Sequence, residues 1–313
     1  MKEQMGLDGS IAEAERLVGR VGRGDVASPV VKTFFDETTF TATHVVHDPA
    51  TRKAAVIDSV MDFDPASGRT SFANARKIVD YAQAERLAVE WLLETHAHAD
   101  HLSAAPYLQQ ELGGKIAIGS AIKVVQATFA DIFNEGSRFA CDGSQFDRLF
   151  DDGDGFGVGE IPALALHVPG HTPADMAYVI GDSLFVGDTM FMPDYGTARC
   201  DFPGGDARHL YRSIKRLMAL PDETRAFLCH DYKAPGRAYY AWETTIGAQH
   251  TGNLHLCNGV SEDSFVEMRT KRDATLSTPK LLFAAVQVNM RGGQLPEPEN
   301  NGTTYLKLPL NLI

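Results

Sequence analysis

The sequence predicts an α/β fold, and two observations carry that reading. Short β-branched and aromatic runs dominate the first part of the chain. Beyond about residue 71 they give way to apolar strand-like runs alternating with longer amphipathic stretches. Several of the apolar runs also end abruptly in histidine or aspartate, so the chemically active residues gather at strand ends. A chain of 313 residues can bury a full core without disulfide staples.

Residues 10–18 have the spacing of a short amphipathic helix with Ser10 as its N-cap and Gly19 as its end. Residues 19–28, with Gly19, Gly22 and Gly24, read as a flexible link, so 1–29 form an N-terminal extension. Residues 30–35, 39–47 and 53–57 read as strands of an antiparallel meander, broken by turns at 36–37 and 48–51. Residues 71–87 read as a helix capped by Ser71, with Ala75, Ile78, Val79 and Ala82 on one face. Strands are expected at 89–94, 115–119, 163–168, 176–180, 183–186 and 225–229. Helices are expected at 104–112, 121–133 and 206–220. The region 236–313 differs from the 30–235 domain. It has helical stretches at 241–250, 261–272 and 279–288, and the prolines of 295–299 force an extended end. This arm is expected to pack on the domain and help wall the site.

Charge excludes some partners. Lys plus Arg number 29 and Asp plus Glu 41, a net charge of −12. Nucleic acid and anionic membrane surfaces both demand a basic face. No run of 18 apolar residues exists, so no membrane span is expected. The acids near the start do not fit a secretory leader, and Cys141, Cys200, Cys229 and Cys257 form no Cys-x-x-Cys pair. Reduced thiols in a cytoplasmic protein are expected. Asp151, Asp152 and Asp154 lack the closing glutamate of a calcium loop and read as a solvated turn.

The strongest signal is Thr95-His96-Ala97-His98-Ala99-Asp100-His101, directly after an apolar strand. His96 and His98 alternate as strand-end residues do and can point the same way. Asp100 and His101 follow where the chain turns. Imidazole and carboxylate together suit zinc, iron or manganese. His171 follows the strand at 163–168, Asp188 the strand at 183–186, and His230 the strand at 225–229. Gly170 and Gly187 precede two of these ligands and let the backbone pass close. Strand ends meeting on one edge would assemble a metal site there.

This ordered set, His-x-His-x-Asp-His at 96–101 and then His171, Asp188 and His230, resembles the metallo-β-lactamase superfamily over about residues 30–235. The resemblance implies an αββα sandwich with the metal at one edge, here carrying a C-terminal helical and extended arm. In the dinuclear hydrolases of that family the matching residues hold two zinc ions. His96, His98 and His171 would hold one, Asp100, His101 and His230 the other, with Asp188 bridging. Gly196-Thr197-Ala198-Arg199-Cys200-Asp201-Phe202 and His230-Asp231-Tyr232 more narrowly resemble the persulfide dioxygenases. That resemblance implies a single Fe(II) on His96, His171 and Asp188, with His98, Asp100, His101 and His230 orienting the ligands. Neither terminal extension is expected to touch the ligands.

The activity implied is oxidation of glutathione persulfide by dioxygen to sulfite and glutathione. Arg199 would hold a substrate carboxylate or orient Asp201, and Tyr232 would hydrogen-bond the bound sulfur or oxygen. Cys200 and Cys229 lie beside key residues but read as inert buried thiols. A glyoxalase II-like dinuclear zinc thioesterase is the alternative, and a lactonase a third enzyme reading. A homodimer is implied by resemblance alone.

Overall fold

The computed structural model describes residues 2–311. Two six-stranded sheets pack face to face with helices on both outer faces. The first sheet has the order β1 (Val30–Asp36), β2 (Thr41–His47), β3 (Lys53–Ile57), β6 (Ala88–Leu93), β8 (Lys115–Gly119) and β9 (Arg148–Phe150). Between β3 and β6 the chain forms β4 (Val60–Asp64) and β5 (Arg69–Ser71). With β7 (Leu102–Ser103) these make a small third sheet. The second large sheet runs β10 (Gly155–Val158), β11 (Ile161–His167), β12 (Met176–Ile180), β13 (Ser183–Phe185), β14 (Arg225–Phe227) and β15 (Glu243–Thr245).

Alternation along the strands builds the layers. Val46, Ala55, Ile57, Leu93 and Ala117 of the first sheet meet Ala163, Ala165, Tyr178, Ile180 and Phe185 of the second in one buried cluster. Their neighbours Val45, Ala54, Val56, Leu92 and Ile116 point the other way, under α2 (Ala73–Ala84), α3 (Ala105–Leu112), α4 (Ile122–Ile132) and α8 (Leu282–Asn289). Leu164, Leu166, Ala177, Val179 and Leu184 face α1 (Lys2–Gly22), α5 (Ala207–Leu217), α6 (Ile246–Gly252) and α7 (Glu262–Asp273). Both faces of both sheets are covered, which is why their strands are apolar throughout. The predicted αββα sandwich is present.

Several local expectations need correction. Helix α1 runs through Gly19 to Gly22, because Ala14, Leu17 and Val18 are buried against the second sheet. That burial outweighs the roughly 1 kcal/mol cost of a helical glycine. Ser10 lies inside this helix, and its hydroxyl donates to Asp152 at 2.8 Å. Asp152 also binds Arg216, so the acidic turn is tied to α5 rather than simply solvated. Ser71 ends β5 and does not cap α2; the Asp62 carboxylate accepts from the Asn74 amide instead. Residues 243–245, expected as helix, form edge strand β15, and Thr245 caps α6. The buried face of α2 is the expected Ala75, Ile78, Val79 and Ala82. The arm contributes to both outer cores, through Leu282, Ala285 and Val286 on one side and Ile246, Leu256 and Phe265 on the other. Among the described residues no helix is long and apolar enough to cross a membrane.

Candidate metal centre

Topology brings the predicted ligands to one edge. Strands β13 and β14 are parallel, and β11 is antiparallel to β12, which is antiparallel to β13. Hence β11, β13 and β14 all end at the same edge, delivering His171, Asp188 and His230 there. The His96–His101 loop leaves β6 beside them, where the Met176 amide donates to the Thr95 carbonyl at 2.8 Å. The two expected glycine approaches are real. A Cβ on Gly170 (φ +152°) would sit 2.3 Å from the Leu210 Cα, and one on Gly187 (φ +55°) 2.7 Å from the Thr95 Cβ.

One ligand atom each from His96, His171 and Asp188 lies within 4.8 Å of the others. His98, His101, His230 and Cys229 form a second such group. Hydrogen bonds decide which ring nitrogen is free. The Arg199 carbonyl can only accept, so His171 Nδ1–H donates to it at 2.8 Å. His230 Nδ1–H likewise donates to the Phe40 carbonyl at 3.2 Å. The Thr95 hydroxyl gives its proton to Asp58, so it accepts from His96 Nδ1–H at 3.0 Å. His98 Nε2–H donates to Asp58 Oδ1 at 2.9 Å.

What remains is a set of buried atoms with no hydrogen-bond partner among the described residues: His96 Nε2, His98 Nδ1, His101 Nε2, His230 Nε2, Asp100 Oδ2 and Asp188 Oδ1, with His230 Nε2 3.3 Å from Asp100 Oδ2 and 3.4 Å from Asp188 Oδ1. Buried polar atoms left unpaired cost about 1–3 kcal/mol each. Their convergence, with each imidazole's other nitrogen already bonded, is the arrangement of metal ligands. The donor set fits a divalent transition metal.

Electrostatics around the centre follow from burial. Burial alone would depress His98, but Asp58 and Glu94 beside it hold its pKa up, at about 10. Burial would raise Asp58, yet His98 and the Thr95 donors hold it down at about 2. Burial and neighbouring His98 press His101 down to about 3, so it is a neutral donor. Asp58 and Glu94 were missed in sequence. Asp58 sits in the turn after β3 with φ +53°, a left-handed position that aspartate tolerates.

The side chains around the ligands refine the predicted roles. The Arg199 guanidinium grips Asp201 with two bonds of 2.6 Å and donates to the Ser277 carbonyl at 2.8 Å. Arg199 is therefore already paired, of the two roles expected the one toward Asp201. Tyr232 lines the cavity, packed on Tyr195 at 5.4 Å and Phe191 at 5.9 Å, and makes no side-chain hydrogen bond among the described residues. Cys200 and Cys229 are buried, and burial pushes both thiols upward, away from the reactive thiolate form.

The arm walls the site and also reaches the candidate ligand residues, which was not expected. The Asn289 amide donates to the His98 and His101 carbonyls at 2.8 and 2.7 Å and accepts from the Ser103 amide at 2.8 Å. On the other side, buried Arg269 pairs with Asp273 and donates to the Thr197 carbonyl, while Asp273 accepts from the Cys200 amide. His255 and Asn253 hold Thr197 and Gly196. No spacing in the sequence links residues this far apart, so sequence periodicity could not have found them.

A cavity of about 540 Å³ opens in front of the centre. It is lined by Asp100, His171 and Asp188, by aromatic residues such as Phe40, Phe191 and Tyr195, and by Leu276 and Leu281 from the arm. Such a size suits a small-molecule substrate.

Comparison with known proteins agrees with this geometry. The family model of the metallo-beta-lactamase superfamily matches residues 39–230. A probable metallo-hydrolase of Burkholderia pseudomallei is 53% identical over 90% of this chain and 99% of its own. The human mitochondrial persulfide dioxygenase ETHE1 is 26% identical over 87% of this chain and 92% of its own. The crystal structure of ETHE1 from Myxococcus xanthus superposes with a TM-score of 0.67 at 28% identity, covering 85% of this chain and all of that one. Fold and sequence match together, and the chain belongs to the metallo-beta-lactamase superfamily.

Proposed function

We propose that this protein is a persulfide dioxygenase acting on a small thiol persulfide, with glutathione persulfide the favoured substrate. The observation that carries the reading is the His96–His171–Asp188 face, two imidazoles and one carboxylate beside an open cavity. Two histidines and a carboxylate on one face suit non-haem iron. A bound Fe(II) would supply open coordination positions and the redox chemistry that dioxygen requires. Overall, persulfide, dioxygen and water give thiol, sulfite and two protons. The outer sulfur loses the four electrons that dioxygen takes up.

The chain's own residues then have distinct tasks. Thr95 and the Arg199 carbonyl hold His96 and His171 in the tautomers that offer Nε2. The aromatic wall keeps bulk water from the reacting sulfur. Tyr232, whose hydroxyl makes no hydrogen bond among the described residues, donates to the substrate's terminal sulfur or to oxygen. The similarity to persulfide dioxygenases supports this assignment.

A second reading has its own support. The unpartnered His98, His101, His230 and Asp100 atoms could hold a second ion, as in a dinuclear zinc hydrolase of the glyoxalase II kind. A relative named as a probable metallo-hydrolase is twice as similar as the dioxygenase. Parallel assays of the iron-loaded and zinc-loaded protein separate the two. Glutathione persulfide with an oxygen electrode tests one, and S-lactoylglutathione hydrolysis tests the other. Hydrolysis without oxygen uptake would replace the first reading by the second.

A further inference from the structure

We propose that a small apolar void, which shares His171 and Phe202 with the main cavity, is a holding site for dioxygen. The proposal rests on the dioxygenase reading and goes beyond it by giving the gas a place of its own.

The void has a volume of about 20 Å³. Helix α4 lines it with Val125 and Phe129, and α8 with Leu282 and Val286. Ala97 and Ala99, which alternate with the candidate ligands of the His96–His101 loop, line it too, and their small side chains leave the space open. Ala99, His171 and Phe202 also line the main cavity, so the two spaces meet at these residues. The Phe202 ring stands edge-on to His171 at 4.9 Å, with the Arg199 guanidinium 5.3 Å from its centre, which fixes it at the junction.

Size and polarity select the occupant. The polar side chains that line the void belong to His171 and Thr172, and both are committed elsewhere. His171 Nδ1–H donates to the Arg199 carbonyl, and its Nε2 lies 3.7 Å from Asp188. The Thr172 hydroxyl donates to Asp175 and accepts from the Ala174 amide at 3.2 Å. A buried water needs several polar partners, and an apolar space that lacks them stays dry. A void admits one water-sized molecule from roughly 10–15 Å³ upward, so this one holds a single small molecule and excludes any thiol persulfide. Dioxygen is small and apolar, and gains dispersion contacts with the aliphatic and aromatic lining. The reaction needs both reactants at the centre at once. With a site of its own, the gas can wait beside His171 while the persulfide fills the large cavity.

The test combines gas binding with kinetics. Val286→Leu narrows the void and Val286→Ala widens it, and neither change touches a candidate ligand. Val125→Leu narrows it from the facing helix and replaces the first variant if that one does not fold. Crystals of the metal-loaded protein are pressurised with krypton, an apolar atom close to dioxygen in size. One krypton is expected between α4 and α8 in wild type and in Val286→Ala, and none in Val286→Leu. One surplus methylene in an apolar pocket should raise the KM for dioxygen on the order of tenfold in Val286→Leu, with iron content and the KM for persulfide unchanged. Krypton absent from wild type, or a KM for dioxygen that no narrowing variant moves, would overturn the site. No oxygen uptake by iron-loaded wild type would overturn the assignment of dioxygen together with the reading it rests on. Krypton still bound there would tell that failure apart from a failure of the void itself.

Discussion

Which nitrogen of each imidazole is already bonded determines what a single residue can do at this centre. His171 offers Nε2 because Arg199 occupies Nδ1, and it belongs to the three-donor face. His171→Ala should therefore lose both iron and activity, measured by metal analysis and oxygen uptake; retained stoichiometric iron would sink the ligand assignment. His98 is a different case, since Asp58 holds it from below and it groups with His101 and His230. His98→Ala should weaken activity yet keep much of the iron, whereas complete metal loss would favour the two-metal site. Asn289 touches no donor atom but fixes two ligand carbonyls and one amide. Asn289→Leu leaves those three groups unpaired in the interior. It should cost about 2–5 kcal/mol in urea unfolding and weaken metal affinity roughly 10–100-fold.

At the scale of elements, the sequence made the strands and the candidate ligands legible and left their supports hidden. The near-continuous apolar runs Lys53–Ile57 and Met176–Ile180 could be read because both sheet faces are buried. The His-x-His-x-Asp-His loop could be read because ligand spacing is local. Asp58, Asn289 and the Arg269–Asp273 pair could not, because they reach the site through tertiary contacts across long sequence separations. The ends of α1 and α2 were misplaced for a related reason. Burial against a sheet carried α1 past Gly19, and a distant Asp62 replaced the local cap on α2. Helix α7 is more than an appendage, since its buried Arg269 and Asp273 hold the loop that carries Arg199. Asp273→Ala would leave the Arg269 charge uncompensated, and a loss of about 3–5 kcal/mol is expected by denaturant unfolding. A loss under 1 kcal/mol would mean that the pair is solvated and does not clamp the loop.

For the whole molecule, the metal centre lies where β11, β13, β14 and the loop after β6 converge, and both outer cores depend on the arm. Binding of an ion to so many buried unpartnered atoms is coupled to folding. Removing it with a chelator should lower the melting temperature by on the order of 5 °C or more in thermal scans at neutral pH. An unchanged melting temperature would mean that the described donors hold no ion. The central claim is the chemistry in front of the His96–His171–Asp188 face. Its most direct test is oxygen consumption by iron-loaded protein supplied with glutathione persulfide, with sulfite measured in the same sample. One sulfite formed per dioxygen consumed is the expected result; no consumption with iron confirmed in place would contradict the account.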